Sequence, residues 1–188
     1  MGGLNGIFLS NTYWYHRALG WRGVLIEPTP ASYEQLVKNR ASDITINAAV
    51  CKDHQRVHYL NSPRNGVNGI VEFMSEEFKQ RWHPTIKDSE LLSISCVPLQ
   101  PILNLVNLRH INFFSLDVEG GELEVIRGID FNCTRFDVIT MEANAKNPTE
   151  HHRTIRDILT SHGYIFHGQI QRNYWFVHPQ FVPSVKPA

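Results

Sequence analysis

Apolar residues along this chain come in two rhythms, short solid runs and longer spaced series, and the two alternate. Solid runs stand at residues 23–27 (GVLIE), 44–50 (ITINAAV), 111–116 (INFFSL) and 136–142 (FDVITME). Short runs rich in β-branched and aromatic residues predict strands buried on both faces. Spaced series predict helices over 13–19 and 32–40, a short one at 102–106, one after residue 121 through Leu123, Val125 and Ile126, and one over 148–162 with Ile155, Ile158 and Leu159 on one face. Gly20, Gly128 and Gly163 punctuate three of these ends, as helix C-termini favour. Residues 57–60 and 69–73 alternate around a turn-rich loop at 61–68, which predicts a hairpin or an excursion with a mobile loop. Another extended run covers 93–99. Runs at 164–167 and 174–178 predict an antiparallel edge on a mostly parallel sheet. The expected fold is α/β, Rossmann-like and doubly wound, in a single domain over 1–178 with an irregular tail at 179–188.

The stretch 111–130, INFFSLDVEGGELEVIRGID, organises the rest. It reads as strand, acidic tip, glycine turn, helix. Ligands of open α/β sheets bind beyond the carboxyl ends of the strands, where Asp117 and Glu119 would lie, two apart and on one side. A strand-end acid can also simply favour the next helix N-terminus. That accounts for Glu122 and less well for Asp117 and Glu119 ahead of two glycines.

Two other strands end in acid, Glu27 and Glu142, and Asn144 follows the second. In a doubly wound sheet these ends share one edge, so the acids would form a site for hydroxyls, a cation or a metal. Glu27 follows the glycine turn MGGLNG by about 20 residues, the distance at which an acid binds ribose hydroxyls in dinucleotide and adenosyl folds. Asn47 and the small Ala48 could admit an adenine ring; a plain buried strand accounts for them nearly as well. MGGLNG lacks the G-x-G-x-x-G spacing, which disfavours a nicotinamide-dependent dehydrogenase.

Eighteen basic and eighteen acidic residues in a chain of 188 give zero formal net charge, which argues against nucleic-acid or polybasic membrane binding. Three widely spaced cysteines, Cys51, Cys96 and Cys133, suggest neither a zinc site nor a disulfide framework; buried, reduced thiols are expected. The ten histidines show no metal-ligand spacing. No apolar run approaches the roughly 20 residues of a membrane helix, and a cytoplasmic location is expected.

In four stretches the sequence resembles the FkbM-type methyltransferase family: NGIFLSNT at 5–12, LGWRGVLIEPTP at 19–30, NAAV at 47–50 and FFSLDVEGGELEVIRGIDF at 113–131. The last is specific and the others support it. The resemblance implies a seven-stranded methyltransferase sheet with a reversed last strand, and S-adenosylmethionine as cofactor. Gly3, Asn5 and Gly6 would face its methionine part, Glu27 its ribose, and Asn47 and Ala48 its adenine. Asp117 and Glu119 would face the reacting methyl and the acceptor, Asp117 being the first candidate base. Glu142 and Asn144 would shape the acceptor side. The acceptor would be a hydroxyl on a small molecule or glycan, and no dedicated metal is required. The family's first strand is absent ahead of the glycine turn. A five-residue apolar strand is worth on the order of 8–15 kcal/mol of burial, comparable with a domain's stability of about 5–15 kcal/mol. A fragment of a longer product, or a compromised form, is therefore expected, and a catalytically inactive binding module is the alternative.

Overall fold

Over residues 1–64, 66–143 and 149–183, which the computed structural model describes, elements follow in this order: α1 Tyr13–Leu19, β1 Val24–Ile26, α2 Pro30–Asn39, β2 Ile44–Ile46, β3 Ala49–Val50, β4 Gln55–Leu60, α3 Glu76–Trp82, a 3-10 turn, β5 Leu91–Val97, α4 Leu99–Leu105, β6 His110–Leu116, α5 Glu122–Arg127, β7 Arg135–Glu142, α6 Glu150–Ser161, β8 Ile165–Ile170 and β9 Asn173–Val177. The result is a mixed α/β structure with three small sheets. β1 and β2 pair in parallel. β5 lies between a parallel β3 and an antiparallel β4. The largest sheet has the order β6-β7-β9-β8. In it β6 and β7 are parallel, and β9 runs antiparallel to both β7 and β8.

The solid apolar runs end where the core is deepest. Phe136 and Ile139 of β7, Val125 of α5, Leu159 of α6 and Phe176 of β9 are fully buried in one cluster that also takes in α4. Each such side chain contributes about 1.5–3 kcal/mol by leaving water. α1 ends as its sequence predicts, with Gly20 left-handed and its N–H donated to the carbonyl of Tyr15. α6 starts at Thr149, whose hydroxyl accepts from the His152 N–H.

Three expectations change. The single strand over 44–50 is two strands in different sheets, because Asn47 turns its amide to the carbonyls of Glu27 (2.8 Å) and Pro28 (3.1 Å). The hairpin of 57–60 with 69–73 shrinks to one bridge, Tyr59 to Ile70. β4 pairs instead along its whole length with β5. The middle of the 61–68 loop and the start of the 148–162 helix include residues outside those described.

The cysteines are the third correction. Cys51 and Cys96 form a disulfide with Cα atoms 5.8 Å apart, and Cys133 is exposed. Parallel pairing of β3 with β5 brings together thiols 45 residues apart, a contact that local spacing rules do not see.

The sheet is also broken between β1 and β6, where the sequence predicts an absent strand. Among the described residues no strand lies between β1 and β6. Residues 1–3 bridge them: the Met1 amine donates to the Ser115 carbonyl (2.6 Å) and the Gly3 N–H to the Ile26 carbonyl (3.1 Å).

Closing a 45-residue loop makes the disulfide worth about 2–4 kcal/mol. Urea unfolding with and without dithiothreitol should show that loss, and Cys133→Ser should leave it unchanged. Coincident curves would show that the bond contributes nothing to stability.

Candidate functional site

Five residues turn the end of β6 into the start of α5. Glu119 and Gly120 are left-handed, at φ 54° and 102°. For a non-glycine residue such a backbone costs about 1–3 kcal/mol and tends to occur at functional sites. Glu122 holds the turn. Its buried carboxylate accepts from the N–H groups of Val118 (3.0 Å) and Gly120 (3.1 Å). A Cβ on Gly120 would stand 3.0 Å from the Phe73 carbonyl oxygen, so both the backbone angle and the close approach require glycine there.

This turn carries Asp117 and Glu119 to the end of β7. The register Leu116 to Met141 sets Glu142 beside them. One ligand oxygen from each of Asp117, Glu119 and Glu142 lies within 4.8 Å of the other two, a grouping able to hold a cation. Glu142 stands close enough to Asp117 to offset part of the rise that burial imposes on it. β1 delivers Glu27, 3% exposed, whose two oxygens accept from Leu4 N–H (2.8 Å) and Thr29 N–H (3.0 Å). Glu27, Asp117 and Glu119 line one cavity of about 100 Å³ with Met1, Leu4 and Tyr59.

Clustered, half-buried carboxylates hold their protons. Burial, then the charges of Glu142, Asp117 and Glu122, push Glu119 up to about 9. Burial raises Asp117 against the opposing pull of the Met1 ammonium. Burial likewise raises Glu27, although its backbone donors oppose the shift. The Met1 amine is lowered to about 6 by burial, with Asp117 and Glu27 partly restoring its charge. A cation entering the cluster would displace protons.

Not every predicted residue reaches this cavity. Ala48 lines it. Asn47 is exposed and its amide braces the Glu27–Pro28 backbone. Asn5 caps its own turn, accepting from the N–H groups of Ile7 and Phe8. Gly6 is buried where a Cβ would strike Arg40 and Leu36, so it serves close packing. Gly3 lies against β1, and Gly2 instead lies against the Asp117 carbonyl. Asn144 lies outside the described residues.

Two members were not foreseen. Tyr59 is buried between the Glu27 and Glu119 charges, its hydroxyl donating to the Asn68 carbonyl (3.3 Å). Thr29 follows Glu27 and lines the same cavity. The sequence signal for Tyr59 was only the alternation in β4; for Thr29 it was adjacency to a strand-end acid.

A mixed α/β domain whose strand-end carboxylates share one cavity has the form of a methyltransferase domain. The family model of the methyltransferase FkbM domain matches residues 1–166; the chain belongs to that family. No curated protein and no solved structure matches it significantly.

Glu119 gives a test by pH. Its folded value of about 9 stands above the ordinary 4.5, so the stability it contributes is complete below about 4.5 and is lost as pH rises toward 9. Glu119→Gln should therefore raise stability at pH 8, by on the order of 3 kcal/mol, and leave it nearly unchanged at pH 4. Denaturant titrations at the two pH values measure this. An equal effect at both would place Glu119 in solvent.

Proposed function

We propose that the domain is an S-adenosylmethionine-dependent methyltransferase that acts on a hydroxyl of a small molecule or glycan. The observation that carries this reading is the meeting of Glu27 with Asp117 and Glu119 at one cavity, Glu142 standing within 4.8 Å of the latter two. The parallel pairs β1–β2 and β6–β7, and the antiparallel β9, support a doubly wound methyltransferase sheet lacking its middle strand. The donor set fits the cofactor chemically. Glu27 has one backbone donor on each oxygen, and the remaining lone pairs suit two ribose hydroxyls. Ala48 and Thr29 line the cavity beside it. The acidic cluster suits a sulfonium, which supplies an already activated methyl when bound.

The chain's own task is positioning and proton removal. In its ionised form Asp117 would take the acceptor's hydroxyl proton, and the bound sulfonium would supply the methyl group. Glu142 orients that hydroxyl. Glu119 enters protonated and yields its proton when positive charge arrives. A cavity of about 100 Å³ is below the roughly 300 Å³ of a cofactor site, so binding requires it to widen. No described helix is long and apolar enough to cross a membrane. The Cys51–Cys96 bond favours an oxidising compartment over the cytosol.

Calorimetric titration tests this. S-adenosylmethionine should bind more tightly at pH 9 than at pH 6, with proton release, whereas uncharged S-adenosylhomocysteine should show a much weaker pH dependence. Glu27→Gln should weaken both ligands about tenfold, the loss of one charge-assisted hydrogen bond. No binding of either at millimolar concentration would overturn the cofactor assignment. Binding without methyl transfer to any hydroxyl acceptor would favour the non-catalytic module.

A further inference from the structure

Of the fourteen asparagines in the chain, one opens a tripeptide Asn-X-Ser/Thr whose middle residue is not proline: Asn132-Cys133-Thr134. Asn147-Pro148-Thr149 has the same outline, but its proline excludes it. In a chain that enters a secretory lumen, such a tripeptide is the acceptor for N-linked glycosylation. Tripeptides of this kind also arise by chance, and two features of the fold single this one out.

The first is placement. Residues 130–134 form a closed turn between α5 and β7. The Asp130 carboxylate accepts from the Asn132 N–H (2.9 Å), and the Asp130 carbonyl accepts from the N–H groups of Cys133 and Thr134 (both 3.0 Å). Phe131 anchors the turn, its ring 4.6 Å from that of His162 and 5.7 Å from that of Tyr164. Asn132 and Cys133 are left exposed. A bulky, hydrated group on Asn132 therefore displaces no packed side chain. The second is redox. The Cys51–Cys96 disulfide belongs to oxidising compartments such as the secretory lumen, where this modification is made.

We propose that Asn132 carries an N-linked oligosaccharide. Its Nδ2 bonds to the anomeric carbon of the first sugar of a lipid-diphosphate-linked oligosaccharide. The bond from that carbon to the diphosphate oxygen breaks, the lipid diphosphate leaves with the electron pair, and one amide proton passes to solvent. The acceptor motif requires the Thr134 hydroxyl. In the folded chain Thr134 is 1% exposed, and its hydroxyl accepts from the Gln100 amide (3.0 Å). Transfer therefore takes place on the emerging chain, before α4 packs against the start of β7.

The position suits the rest of the structure. β7 runs for eight residues from Arg135 to Glu142, which at about 3.3 Å per residue puts about 26 Å between the turn and the acidic cluster. A glycan at that end leaves the carboxylate cavity open. It also stands beside Cys133, the free cysteine, and screens a thiol that an oxidising lumen would otherwise leave open to pairing with another chain.

The full chain, led into the lumen by a cleavable secretory signal, is translated in the presence of microsomal membranes. One discrete increase in apparent mass on a gel is expected, and an endoglycosidase should remove it. Asn132→Gln should abolish the increase and Thr134→Ser should keep it; because transfer precedes folding, neither readout depends on the variant's stability. Membranes added after the chain has folded should give no increase. Maleimide labelling of Cys133 should be slower in the glycosylated chain than in the enzymatically deglycosylated one. The proposal is overturned if the unaltered chain shows no increase, or if the increase survives Asn132→Gln. Free thiols at Cys51 and Cys96 in the lumenal protein would overturn the compartment on which it depends. An equal increase with late-added membranes would overturn the order of transfer and folding, and equal labelling rates would overturn the screening of Cys133. No readout here depends on cofactor binding or methyl transfer, so failure of the methyltransferase reading leaves this test intact.

Discussion

Like charges crowded at one edge of the structure are the constraint on which the rest depends. Parallel strands present their carboxyl ends to the same side, and three of these strands end in acid: Glu27, Asp117 with Glu119, and Glu142. Bringing Asp117, Glu119 and Glu142 within 4.8 Å opposes folding whenever they ionise, and burial deepens the penalty. The surroundings answer with backbone donors. Leu4 and Thr29 donate to Glu27, and Val118 and Gly120 to Glu122. Among the described residues Glu119 has neither such a backbone donor nor a relaxed backbone, and it is pushed up to about 9. A destabilised, strained acid at a strand end is how a site tuned for charge differs from a surface tuned for solubility.

What the sequence made legible were features of short range. Strand 111–116 with its acidic tip, helix Tyr13–Leu19 with its Gly20 stop, and the burial of 136–142 all follow from neighbouring residues. The convergence of the strand ends was legible too, because parallel pairing puts carboxyl ends together by topology. Three things were not. The 44–50 run looked continuous because its apolar pattern is continuous, but the Asn47 amide finds better acceptors in Glu27 and Pro28 than in a ladder. Cys51 and Cys96 meet only because β3 pairs with β5. Tyr59 reaches the carboxylates from a strand of another sheet. All three depend on contacts between distant segments, about which local composition is silent.

The disulfide changes the meaning of the small sheet. Ala49 and Val50 line the carboxylate cavity and form a strand of only two residues, which few hydrogen bonds hold. Cys51, next in the chain, is bonded to Cys96 on β5, so a covalent tie does what a longer ladder would otherwise do. β5 in turn anchors β4 and hence Tyr59 on the cavity wall. One bond thus couples two unrelated stretches of sequence to the same site.

Stability and binding are divided unevenly between the two halves. The main cluster is centred on β6, β7, β9 and α4 to α6, while β1 contributes Ile26 to it. Fully buried Leu36 of α2 and the Arg40–Asp43 pair, 2.6 Å apart, brace the Glu27 side locally. Arg40 also donates to the Gly6 carbonyl (3.2 Å), tying the glycine turn to α2. Since Glu27 and Asp117 belong to opposite halves, the width of the carboxylate cavity is set by whatever joins β1 to β6. Residues 1–3 share that join with Asn11, whose amide donates to the Ser115 hydroxyl (3.0 Å), and with the Tyr15–Phe113 ring contact, and the contact of Gly2 with the Asp117 carbonyl puts the first of these at the site itself.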